Sequence, residues 1–520
     1  MSVIPNHIDV LIVGSGPTGL LCAGLLGRLG VRALLIERNA GLSTSPRAIL
    51  IDDETTRALS FIGAADHAAE MFLEEVGVTF FGRAGQPLVE VEGRTTPNGF
   101  ANRTTIDQPA FERALFEIVE AFPTISIRSR CEFVNATPAD DGVVATLRVD
   151  GVEHRIECRY VIGADGAHSK VRECADIAFE GGSIDQPHLV LDVADDPDQA
   201  RFSRFFCDPT RPRNSVPAPK GGRRYEFMLL PGEDPRRMAD QENLAKLVAP
   251  IRPLDQIKVI RSAVYYFHQK VVQRMSNGRL FLAGDAAHQM PPFGAQGLNS
   301  GAKDAVNLCW KIAYVLDGRA GAGLLETYHV ERLSHAKAVV ALSARIGRIA
   351  NIRSGFLVTL RDLAFGLGNR SPAIRNWFRL QRYIPRQRYD AGFVLHGRRR
   401  GAAHSLVGRM VPALRTWKSI GRNEVDTPYG SGFTLLCIGV PRPKQCPAAW
   451  LNAAVLETPR PDTADTEHLG ELWALHNGEI LVVRPDRYVA ASARPEDLDK
   501  TLARLTALLA ASPTHKEQAA

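Results

Sequence analysis

The sequence predicts an α/β protein built around a parallel sheet, with an inserted β-rich domain and a small C-terminal α/β domain. Three observations predict this. A strand, a glycine-rich turn and a helix open the chain, strands broken by Pro- and Gly-rich loops fill residues 189–268, and the composition changes again beyond Pro385. A chain of 520 residues is also too long for a single packed core.

The opening segment is a βαβ unit. Residues 9–13 form a short apolar strand, residues 18–29 have a helical pattern, and residues 31–36 form a second apolar strand. Two strands joined through a helix run parallel, so the first sheet must be parallel. Further helices are expected at 109–122, 300–316 and 324–349, and alternating strands between 125 and 162.

The changes in pattern divide the chain into three domains. We expect residues 1–75, 103–188 and 273–385 to form the first domain, with helices in its last stretch, and residues 76–102 and 189–272 to form the inserted one. Residues 386–520 form the third. It has strands near 433–440, 479–484 and 488–492, and a final helix at 495–511 with leucines on one face.

Composition excludes several classes of protein. Hydrophobic residues make up 45% and charged residues 23%, as in a globular protein. The net charge of +6 is scattered, and the short run Arg398 to Arg400 is better explained as a solvated patch than as a nucleic-acid site. The uncharged stretch 10–27 contains glycines and a proline near its middle, so it predicts a buried strand and helix and not a membrane span.

The eight cysteines are widely spaced and form no CxxC pair. Several lie in apolar runs, as Cys22 and Cys309 do, where a reduced cysteine packs as a small hydrophobe. This favours a reducing, cytoplasmic location. No cluster of His, Cys and Asp has metal-ligand spacing, and no GxSxG motif is present, so we expect neither a metal site nor a serine nucleophile.

The first chemical motif is Gly14-Ser15-Gly16-Pro17-Thr18-Gly19, between a strand and a helix. Glycines there allow a tight turn, close approach to a pyrophosphate and close packing of helix on strand. The helix N-terminus offers free N–H groups to phosphates, and Glu37, which ends the next strand, can accept hydrogen bonds from ribose hydroxyls. A dinucleotide site is predicted, but this motif alone does not distinguish FAD from NAD.

Two later motifs follow buried strands. The segment 163–169 contains Asp165-Gly166, which alone could be an ordinary turn. The segment 280–288 ends in Gly284-Asp285-Ala286-Ala287-His288 and leads through 291–299 into a long helix. An aspartate there can bind a ribityl chain, and the helix start suits a reduced, anionic flavin. This third motif favours FAD, since a dehydrogenase that uses only nicotinamide does not need it.

Together the three segments resemble the GxGxxG, DG and GD motifs of the class A flavoprotein aromatic hydroxylases, in the same order and spacing, and the resemblance covers nearly the whole chain. Residues 207–212, 224–228 and 483–488 look particularly like those of the 3-(3-hydroxyphenyl)propionate hydroxylase subgroup. The resemblance implies a Rossmann-like FAD-binding domain, an inserted β-rich substrate domain and a thioredoxin-like C-terminal domain. It also implies NADH or NADPH as co-substrate, without deciding between them, and a possible homodimer.

The resemblance also implies roles for single residues. Glu37 and Arg38 would bind the adenosine ribose and its surroundings, Arg47 would lie near the pyrophosphate, and Gln108 near the ribityl chain. Asp165 would belong to a motif linked to both FAD and nicotinamide. The remaining flavin-binding positions would be Gly284, Asp285, which binds ribityl hydroxyls, Gly297, and the backbone of Leu298 and Asn299.

Some residues allow more than one interpretation. Ala295 replaces the glycine usual before Gln-Gly, which leaves the path of that loop open. His288 is more simply explained by packing than by catalysis. His268 could contact substrate or pack beside the pocket, and Arg213 and Arg224 could bind a substrate carboxylate or be surface charges. Cys437 and Cys446 form no CxxC, so a structural role is expected for the last domain.

The resemblance implies that the protein hydroxylates a small aromatic substrate ortho to a phenolic hydroxyl, using O2 and FAD reduced by NAD(P)H. No residue is identified as the base that activates the phenol. A relative of the same fold acting on another aromatic or a polyketide, by hydroxylation, epoxidation or Baeyer–Villiger oxidation, remains an alternative. A flavin-dependent halogenase is disfavoured because the five tryptophans are isolated from one another, and a non-catalytic flavin-binding protein because every flavin motif is present.

Overall fold

The structure is a computed structural model that describes residues 4–43, 47–397, 405–443 and 453–511. Within these ranges the α-helices are α1 Pro17–Arg28, α2 Asp53–Phe61, α3 Ala65–Ala68, α4 Gln108–Glu120, α5 Lys170–Cys174, α6 Gln241–Val248, α7 Gly297–Leu316, α8 Gly323–Ala350, α9 Gly355–Gly368, α10 Pro372–Arg379, α11 Trp417–Ile420, α12 Gly470–His476 and α13 Leu498–Ala510.

The same ranges contain the strands of four sheets. They are β1 His7–Val13, β2 Ala33–Glu37, β3 Leu50–Ile51, β4 Phe72–Leu73, β5 Gly77–Phe81, β6 Pro87–Val91, β7 Thr104–Ile106, β8 Ile125–Ser129, β9 Cys131–Ala139, β10 Gly142–Val149, β11 Val152–Gly163, β12 Phe179–Ala194, β13 Phe202–Phe206, β14 Arg213–Pro217, β15 Arg223–Met228, β16 Lys258–Val272, β17 Ser276–Asn277, β18 Leu280–Leu282, β19 His288–Gln289, β20 Thr434–Ile438, β21 Ala454–Glu457, β22 Glu479–Val483 and β23 Val489–Ala493.

The first sheet confirms the predicted parallel βαβ arrangement. Its order is β17-β18-β11-β1-β2-β8; β18, β11, β1, β2 and β8 run parallel to one another, and β17 pairs with β18 antiparallel. Strands β9 and β10 extend it as an antiparallel hairpin on β11. Helix α1 is apolar on nearly all sides because it lies between this sheet and α7, and residues 19–26 are buried. The carboxyl ends of β1, β2, β11 and β18 therefore lie at one edge.

The second sheet has eight strands in the order β19-β16-β12-β15-β14-β13-β5-β6. Strand β12 pairs with β16 from Phe179 to Ala194, so the sheet begins ten residues before the expected start at 189 and also takes in His288–Gln289. One face carries Leu189, Leu191, Tyr225 and other apolar side chains that pack on α6. Polar side chains occupy alternate positions on the other face, which turns toward the first domain.

The C-terminal sheet has the order β21-β20-β22-β23, with β20 and β21 parallel and the remaining pairs antiparallel. This arrangement agrees with the thioredoxin-like fold expected for this region. Helix α13 closes the domain, and its leucine stripe is buried as predicted, at Leu498, Leu502, Leu505 and Leu509. The seven cysteines in the described ranges are free, whereas Cys446 and the run Arg398 to Arg400 lie outside them.

A buried ionic cluster joins the C-terminal domain to the long helices. Glu331 of α8 accepts hydrogen bonds from both terminal nitrogens of Arg484, at 2.8 and 2.9 Å, and from Lys311 Nζ of α7 at 2.7 Å. Asp486 supplies the second anion beside Arg484. Burial alone would raise the pKa of Glu331, but the charges of Arg484 and Lys311 lower it to about 2. Glu331 is therefore ionised in the folded protein.

Replacing Glu331 by Gln is expected to destabilise the fold strongly. The change leaves the cations of Arg484 and Lys311 buried with too little negative charge, which typically costs about 3–5 kcal/mol. Denaturant unfolding followed by the fluorescence of Trp310, which donates to Asp486 at 3.1 Å, measures the loss. The exposed Glu326 of the same helix supplies the control, since Glu326→Gln should change the free energy of unfolding by less than about 0.5 kcal/mol. Equal losses in both variants would contradict the role given to the cluster.

Candidate active site

The glycine-rich turn packs directly against the next strand-end of the sheet. Gly14 has φ +103°, and a Cβ there would lie 2.5 Å from the carbonyl oxygen of Ala164. A Cβ on Gly19 would lie only 1.8 Å from the Gly14 oxygen, so the helix can approach the strand this closely only with glycine at both positions. Around Gly16 a Cβ would meet no atom within 4 Å, and no side chain caps α1. The first N–H groups of α1 therefore face open space, as an anion site requires.

Glu37 lies beside this turn at the end of β2. Its Oε2 accepts hydrogen bonds from the backbone N–H and the hydroxyl of Ser15, both at 3.1 Å, and its Oε1 accepts from the N–H and side chain of Asn39. The carboxylate is half-buried, and Arg38 next to it is exposed. The predicted acid is thus held next to the glycine turn.

Gln108, at the start of α4, fixes the chain around Arg47. Its Oε1 accepts from the N–H groups of Arg47 and Ala48 at 2.7 and 2.6 Å, and its Nε2 donates to Glu112 at 2.6 Å. The other Glu112 oxygen is buried without a partner among the described residues. Burial raises the pKa of Glu112 to about 7, although the Gln108 hydrogen bond and the charge of Arg47 oppose this and Glu37 adds to it. The charges of Glu37 and Arg47 therefore both influence the ionisation of Glu112.

The DG segment follows β11 at the same edge. Asp165 Oδ2 accepts from the N–H groups of Lys170 and Val171, at 2.7 and 3.2 Å, and so caps the short helix α5. Its Oδ1 is buried without a partner among the described residues. Burial raises the pKa of Asp165 above its ordinary value. One oxygen thus serves the fold, and the other is available to a ligand.

The GD segment and Thr18 meet at the start of two helices. Gly284 has φ +62°, and a Cβ there would lie 2.6 Å from Thr18 Oγ1. The Gly284 N–H donates to Asp304 Oδ2 at 3.0 Å, and His288 Nε2 lies 2.8 Å from the same oxygen. His288 is fully buried, which agrees with the packing interpretation of this residue. Asp304 also pairs with Arg332 Nε at 2.7 Å, and this charge with that of His288 outweighs burial and lowers the Asp304 pKa.

Asp285 follows β18 at the carboxyl edge of the first sheet. Its side chain is accessible, yet the surrounding protein raises its pKa, against the opposing charges of His288 and Arg47. A carboxylate that solvent can reach, but whose pKa is raised because protein surrounds it, typically faces a narrow opening. Arg47 acts on both Asp285 and Glu112, and Glu37 also acts on Glu112, so these charged groups lie near one another, and we call the space that they border the cleft.

The loop before α7 has a well-defined path. Ala295 adopts φ +54°, a conformation that favours glycine, so alanine keeps the turn at some cost in strain. Asn299 holds the loop, because its Nδ2 donates to the Ala295 carbonyl at 2.7 Å while its Oδ1 accepts from Asp52 N–H at 2.9 Å. Helix α7 begins at Gly297 without a side-chain cap, and Leu298 is half-buried. A second uncapped helix start thus faces the cleft.

The second sheet turns its polar face toward this loop. The His188 ring lies 5.9 Å from the Phe293 ring, and Arg224 donates to the Arg47 carbonyl at 2.9 Å. Burial lowers the pKa of His188 to about 4, so the ring is neutral, and its Nδ1 lies 3.2 Å from the Gln186 carbonyl oxygen. Glu226 accepts from Asn214 Nδ2 at 3.0 Å, and burial raises its pKa. Sequence reasoning missed His188, Asn214 and Glu226, although polar residues alternate with less polar ones at 224–227.

The three residues considered for substrate binding are all engaged within the protein. Arg224 is buried and binds Asp192 through Nε at 2.7 Å and Nη2 at 3.1 Å. Arg213 pairs with Asp208 at 3.0 Å, and half-buried His268 lies 2.9 Å from the Ser183 hydroxyl. Asp192 thus already occupies the guanidinium of Arg224, and Arg213 also has a carboxylate partner.

The cleft fits FAD. Two uncapped helix starts, the open space at Gly16, the accessible Asp285 and the buried oxygen of Asp165 without a partner supply the donors and acceptors that a dinucleotide needs. Within the described ranges, no group of three or more His, Cys, Asp or Glu residues could hold a metal ion, and no helix has the length and apolar character needed to cross a membrane.

Comparisons with known proteins agree with this geometry. A family model described as an FAD binding domain matches residues 7–343, and one described as the HcaD C-terminal domain matches residues 408–508. The chain is 32% identical to the 3-(3-hydroxy-phenyl)propionate/3-hydroxycinnamic acid hydroxylase of Escherichia coli strain K12, over 97% of this chain and 95% of that protein. The same figures hold for the enzyme of Escherichia coli O157:H7.

Solved structures show the same fold over the whole chain. Aklavinone-11 hydroxylase, solved with FAD and aklavinone, is similar with a TM-score of 0.76 and 25% identity, covering 97% of this chain and all of that one. The flavin-dependent monooxygenase PieE, solved with FAD and substrate, has a TM-score of 0.75 and 22% identity, covering 96% and 99%. The chain therefore belongs to the class A FAD-dependent aromatic hydroxylases, enzymes that bind FAD and act with O2 on small aromatic substrates.

Proposed function

We propose that this protein hydroxylates a phenol that carries a short carboxylate side chain, such as 3-(3-hydroxyphenyl)propionate, at the ring carbon ortho to the hydroxyl. The observation that carries the proposal is the polar face of the second sheet opposite the flavin loop, where His188 lies 5.9 Å from Phe293. The printed activity of the 32% identical Escherichia coli relative supports the choice of substrate. NADH or NADPH would supply the reducing equivalents.

The cofactor-binding residues follow from the cleft. Glu37, with Arg38 beside it, would bind the adenosine ribose, and the N-terminus of α1 at Gly14 to Gly19 would bind the pyrophosphate with Arg47 nearby. The ribityl chain would pass Gln108, Asp165 and Asp285, with Gly284 next to it. The flavin ring would meet Gly297 and the backbone of Leu298 and Asn299. The support is the position of Glu37, Asp165 and Asp285 at the ends of strands of the first sheet, together with the two uncapped helix starts.

Bound FAD, once reduced, supplies the activated oxygen, and the protein supplies the surroundings. The start of α7 would stabilise negative charge on the reduced ring. His188 is neutral, and Nδ1–H donation to the Gln186 carbonyl would leave Nε2 free to accept a hydrogen bond from a phenol. Glu226, held by Asn214, is the titratable group on the same face. The buried aromatic and apolar side chains around this face keep water out, which favours oxygen transfer over release of peroxide.

The substrate carboxylate would have to compete with an existing ion pair. Arg224 can bind a carboxylate through its fork, but Asp192 already occupies it at 2.7 Å. Arg213 is less buried and pairs with Asp208 at 3.0 Å. An anionic substrate would therefore have to displace one of these aspartates or share its arginine. Because of this competition, the second candidate class of substrate is a larger aromatic without a carboxylate.

We expect 3-(3-hydroxyphenyl)propionate to accelerate NADH or NADPH oxidation by the FAD-loaded protein, with a catechol formed in proportion to the nicotinamide consumed. The measurement follows both nicotinamides with and without the phenol and quantifies product and peroxide together. Fast oxidation that yields only peroxide would show that this phenol is an effector and not the substrate. Oxidation unaffected by the phenol would reject the proposed substrate and direct the search to other phenols and larger aromatics.

Asp285→Asn is expected to weaken FAD binding about 10- to 100-fold. The reason is that hydrogen bonds to a charged acceptor are worth about 1.5–3 kcal/mol, and the amide keeps the shape but not the charge. Titration of flavin-free protein with FAD, followed by flavin fluorescence, gives the dissociation constant. Asp317→Asn, at an exposed aspartate just beyond α7, is the matched control and should bind FAD as the unmodified protein does. An unchanged constant in Asp285→Asn would remove Asp285 from the site.

Glu112→Gln is expected to stabilise the flavin-free protein only at neutral and alkaline pH. The folded-state pKa of about 7 lies above the ordinary value of 4.5, so the folded protein favours the proton. Ionisation then costs stability as the pH rises from 4.5 through 7, and glutamine avoids this cost. The midpoint of thermal unfolding should be nearly unchanged at pH 4 and higher by roughly 2–4 °C at pH 8. Glu120→Gln, at an exposed position on the same helix, should show no such dependence; a pH-independent difference for Glu112→Gln would contradict the assignment.

A further inference from the structure

Helix α9 is amphipathic in the opposite sense to an ordinary surface helix. Between Gly355 and Gly368 the only charged residues are Arg361 and Asp362, and both lie on the side that packs on the protein. They pair at 2.8 Å, and Arg361 donates to the Cys207 carbonyl at 2.9 Å. A surface helix normally turns its charged residues outward. The outward side of α9 carries none, so water is not the partner that this side matches.

Apolar side chains form a stripe on this outward side and continue onto α10. Positions 356, 360, 363 and 367 follow one another at spacings of four, three and four residues, which places them on one face of a helix. The rings of Phe365 and Phe378, 5.8 Å apart, already join α9 to α10. What we call the α9–α10 patch consists of the outward apolar residues, each between 42% and 77% exposed: Phe356, Leu357, Leu360, Leu363, Leu367, Ile374 and Trp377.

The net charge of the protein belongs to the segment that carries this patch. Residues 351–386 contain seven arginines, no lysine, and one acidic residue, Asp362, so their net charge is +6. Charged residues are spread along the whole chain, yet outside this segment the two signs balance, because the chain as a whole is also +6. The arginines other than Arg361 are exposed: Arg353, Arg370, Arg375, Arg379, Arg382 and Arg386. An uncharged apolar stripe thus lies within a local positive field.

We propose that the α9–α10 patch attaches the protein to the surface of a bilayer that contains anionic phospholipid. Phe, Leu and Trp on one face, with arginines at the border, are the composition of a segment that lies in the plane of a bilayer surface. The apolar side chains enter the boundary between headgroups and acyl chains, and the arginines meet the lipid phosphates. Such a segment needs no membrane-spanning length, and Trp favours this boundary.

The charges also decide against other occupants. A second copy of this chain would bring the same excess of arginine to the contact, and like charges across an interface oppose binding. The carboxylates near the border do not change this, since Asp362 pairs with Arg361 and Glu92 with Arg379. A nucleic acid would match the arginines but would leave the leucine stripe in water. An anionic bilayer matches both parts of the surface.

The patch lies close to the active site along the chain. Arg353, between α8 and α9, donates to the Pro209 carbonyl of the second domain at 3.4 Å. The last turns of α8 contact the loop before α7, since a Cβ on Gly347 would lie 2.4 Å from the Phe293 ring. The patch is therefore one helix away from the proposed flavin loop. The attachment rests on this surface and not on the proposed substrate, so the two proposals fail separately.

The test is co-sedimentation of the FAD-loaded full-length chain with vesicles of phosphatidylcholine alone, and of phosphatidylcholine with about one third phosphatidylglycerol. We expect binding to the anionic vesicles, at least about tenfold weaker binding to the neutral ones, and weaker binding at high salt, because salt screens the charges. Leu360→Glu, and separately Leu363→Glu, should weaken binding to anionic vesicles by at least about 30-fold. Each change removes an apolar contact and adds a charge that the lipid repels.

A double variant tests the part played by arginine. Arg375→Gln with Arg382→Gln should weaken binding about 10- to 30-fold, since each arginine close to an anionic surface strengthens binding about fivefold. Arg236→Gln with Arg237→Gln, at exposed positions before α6, is the matched control and should bind as the unmodified chain does. Ile260→Glu, at a 67% exposed position on β16 near the opposite edge of the second sheet, is the control for the leucines. Retained FAD absorbance checks that each variant folds.

Four outcomes overturn the proposal. The unmodified chain might sediment with neither kind of vesicle, or the two leucine variants could bind as it does. Equal loss in the Ile260→Glu control would show that the effect is not specific to the patch, and unchanged binding after Arg375→Gln with Arg382→Gln would remove the charge match. A chain that ignores vesicles, but whose mass by light scattering falls by half in Leu363→Glu, would assign the patch to a second copy.

Discussion

A single buried carboxylate, that of Asp304, holds the GD segment at Gly284 in position. It accepts from the Gly284 N–H at 3.0 Å, contacts His288 Nε2 at 2.8 Å and pairs with Arg332 Nε at 2.7 Å. Asp304 lies on α7 and Arg332 on α8, so one group joins the GD loop to both long helices. Removing a partner from such a network leaves a buried charge or donor uncompensated, which makes the arrangement close to all-or-none. The close packing of Gly284 on Thr18, where a Cβ would lie 2.6 Å from Thr18 Oγ1, lies directly beside this anchor.

Neighbouring residues of α8 connect two distant parts of the molecule. Arg332 faces the GD loop, whereas Glu331, one position earlier, faces Arg484 of the C-terminal domain at 2.8 Å. Successive residues of a helix point about 100° apart, so a single turn can serve both sides. The Glu331 cluster contains two cations and two anions, and in the other cluster Asp304 pairs with Arg332. The C-terminal domain is thus bound to α8, the helix whose Arg332 pairs with Asp304 beside the GD loop. This contact gives the domain, which has no CxxC motif, a structural role.

Much of the fold could be predicted, because its signals are local. The strand–Gly14–helix unit, the leucine stripe of α13 and the buried strand before Gly284 are patterns of spacing within a few residues. Ion pairs and hydrogen bonds between residues far apart in the sequence could not be predicted from such local patterns. The sequence shows that Arg224 is charged, but not that Asp192, 32 residues away, already binds it. The position of Asp165 and Asp285 at the carboxyl edge followed from the order of the strands. By contrast, only the structure shows that Gln108 holds the backbone at Arg47 while it donates to Glu112.

The polar face of the second sheet explains why the fold alone does not determine the substrate. Strands β12, β14 and β15 alternate between a side that packs on α6 and a side that faces the flavin loop. Exchanging His188, Asn214 or Glu226 would alter the pocket without disturbing the apolar side, because alternate positions of a strand are independent of each other in packing. Structures with the same fold and 22–25% identity include one that holds aklavinone, a different aromatic from the phenylpropionates of the Escherichia coli relative. On the proposed function, selectivity would depend on the few side chains of this face, while the sheet, the glycine turn and the Asp304 anchor would hold the flavin side of the site in place.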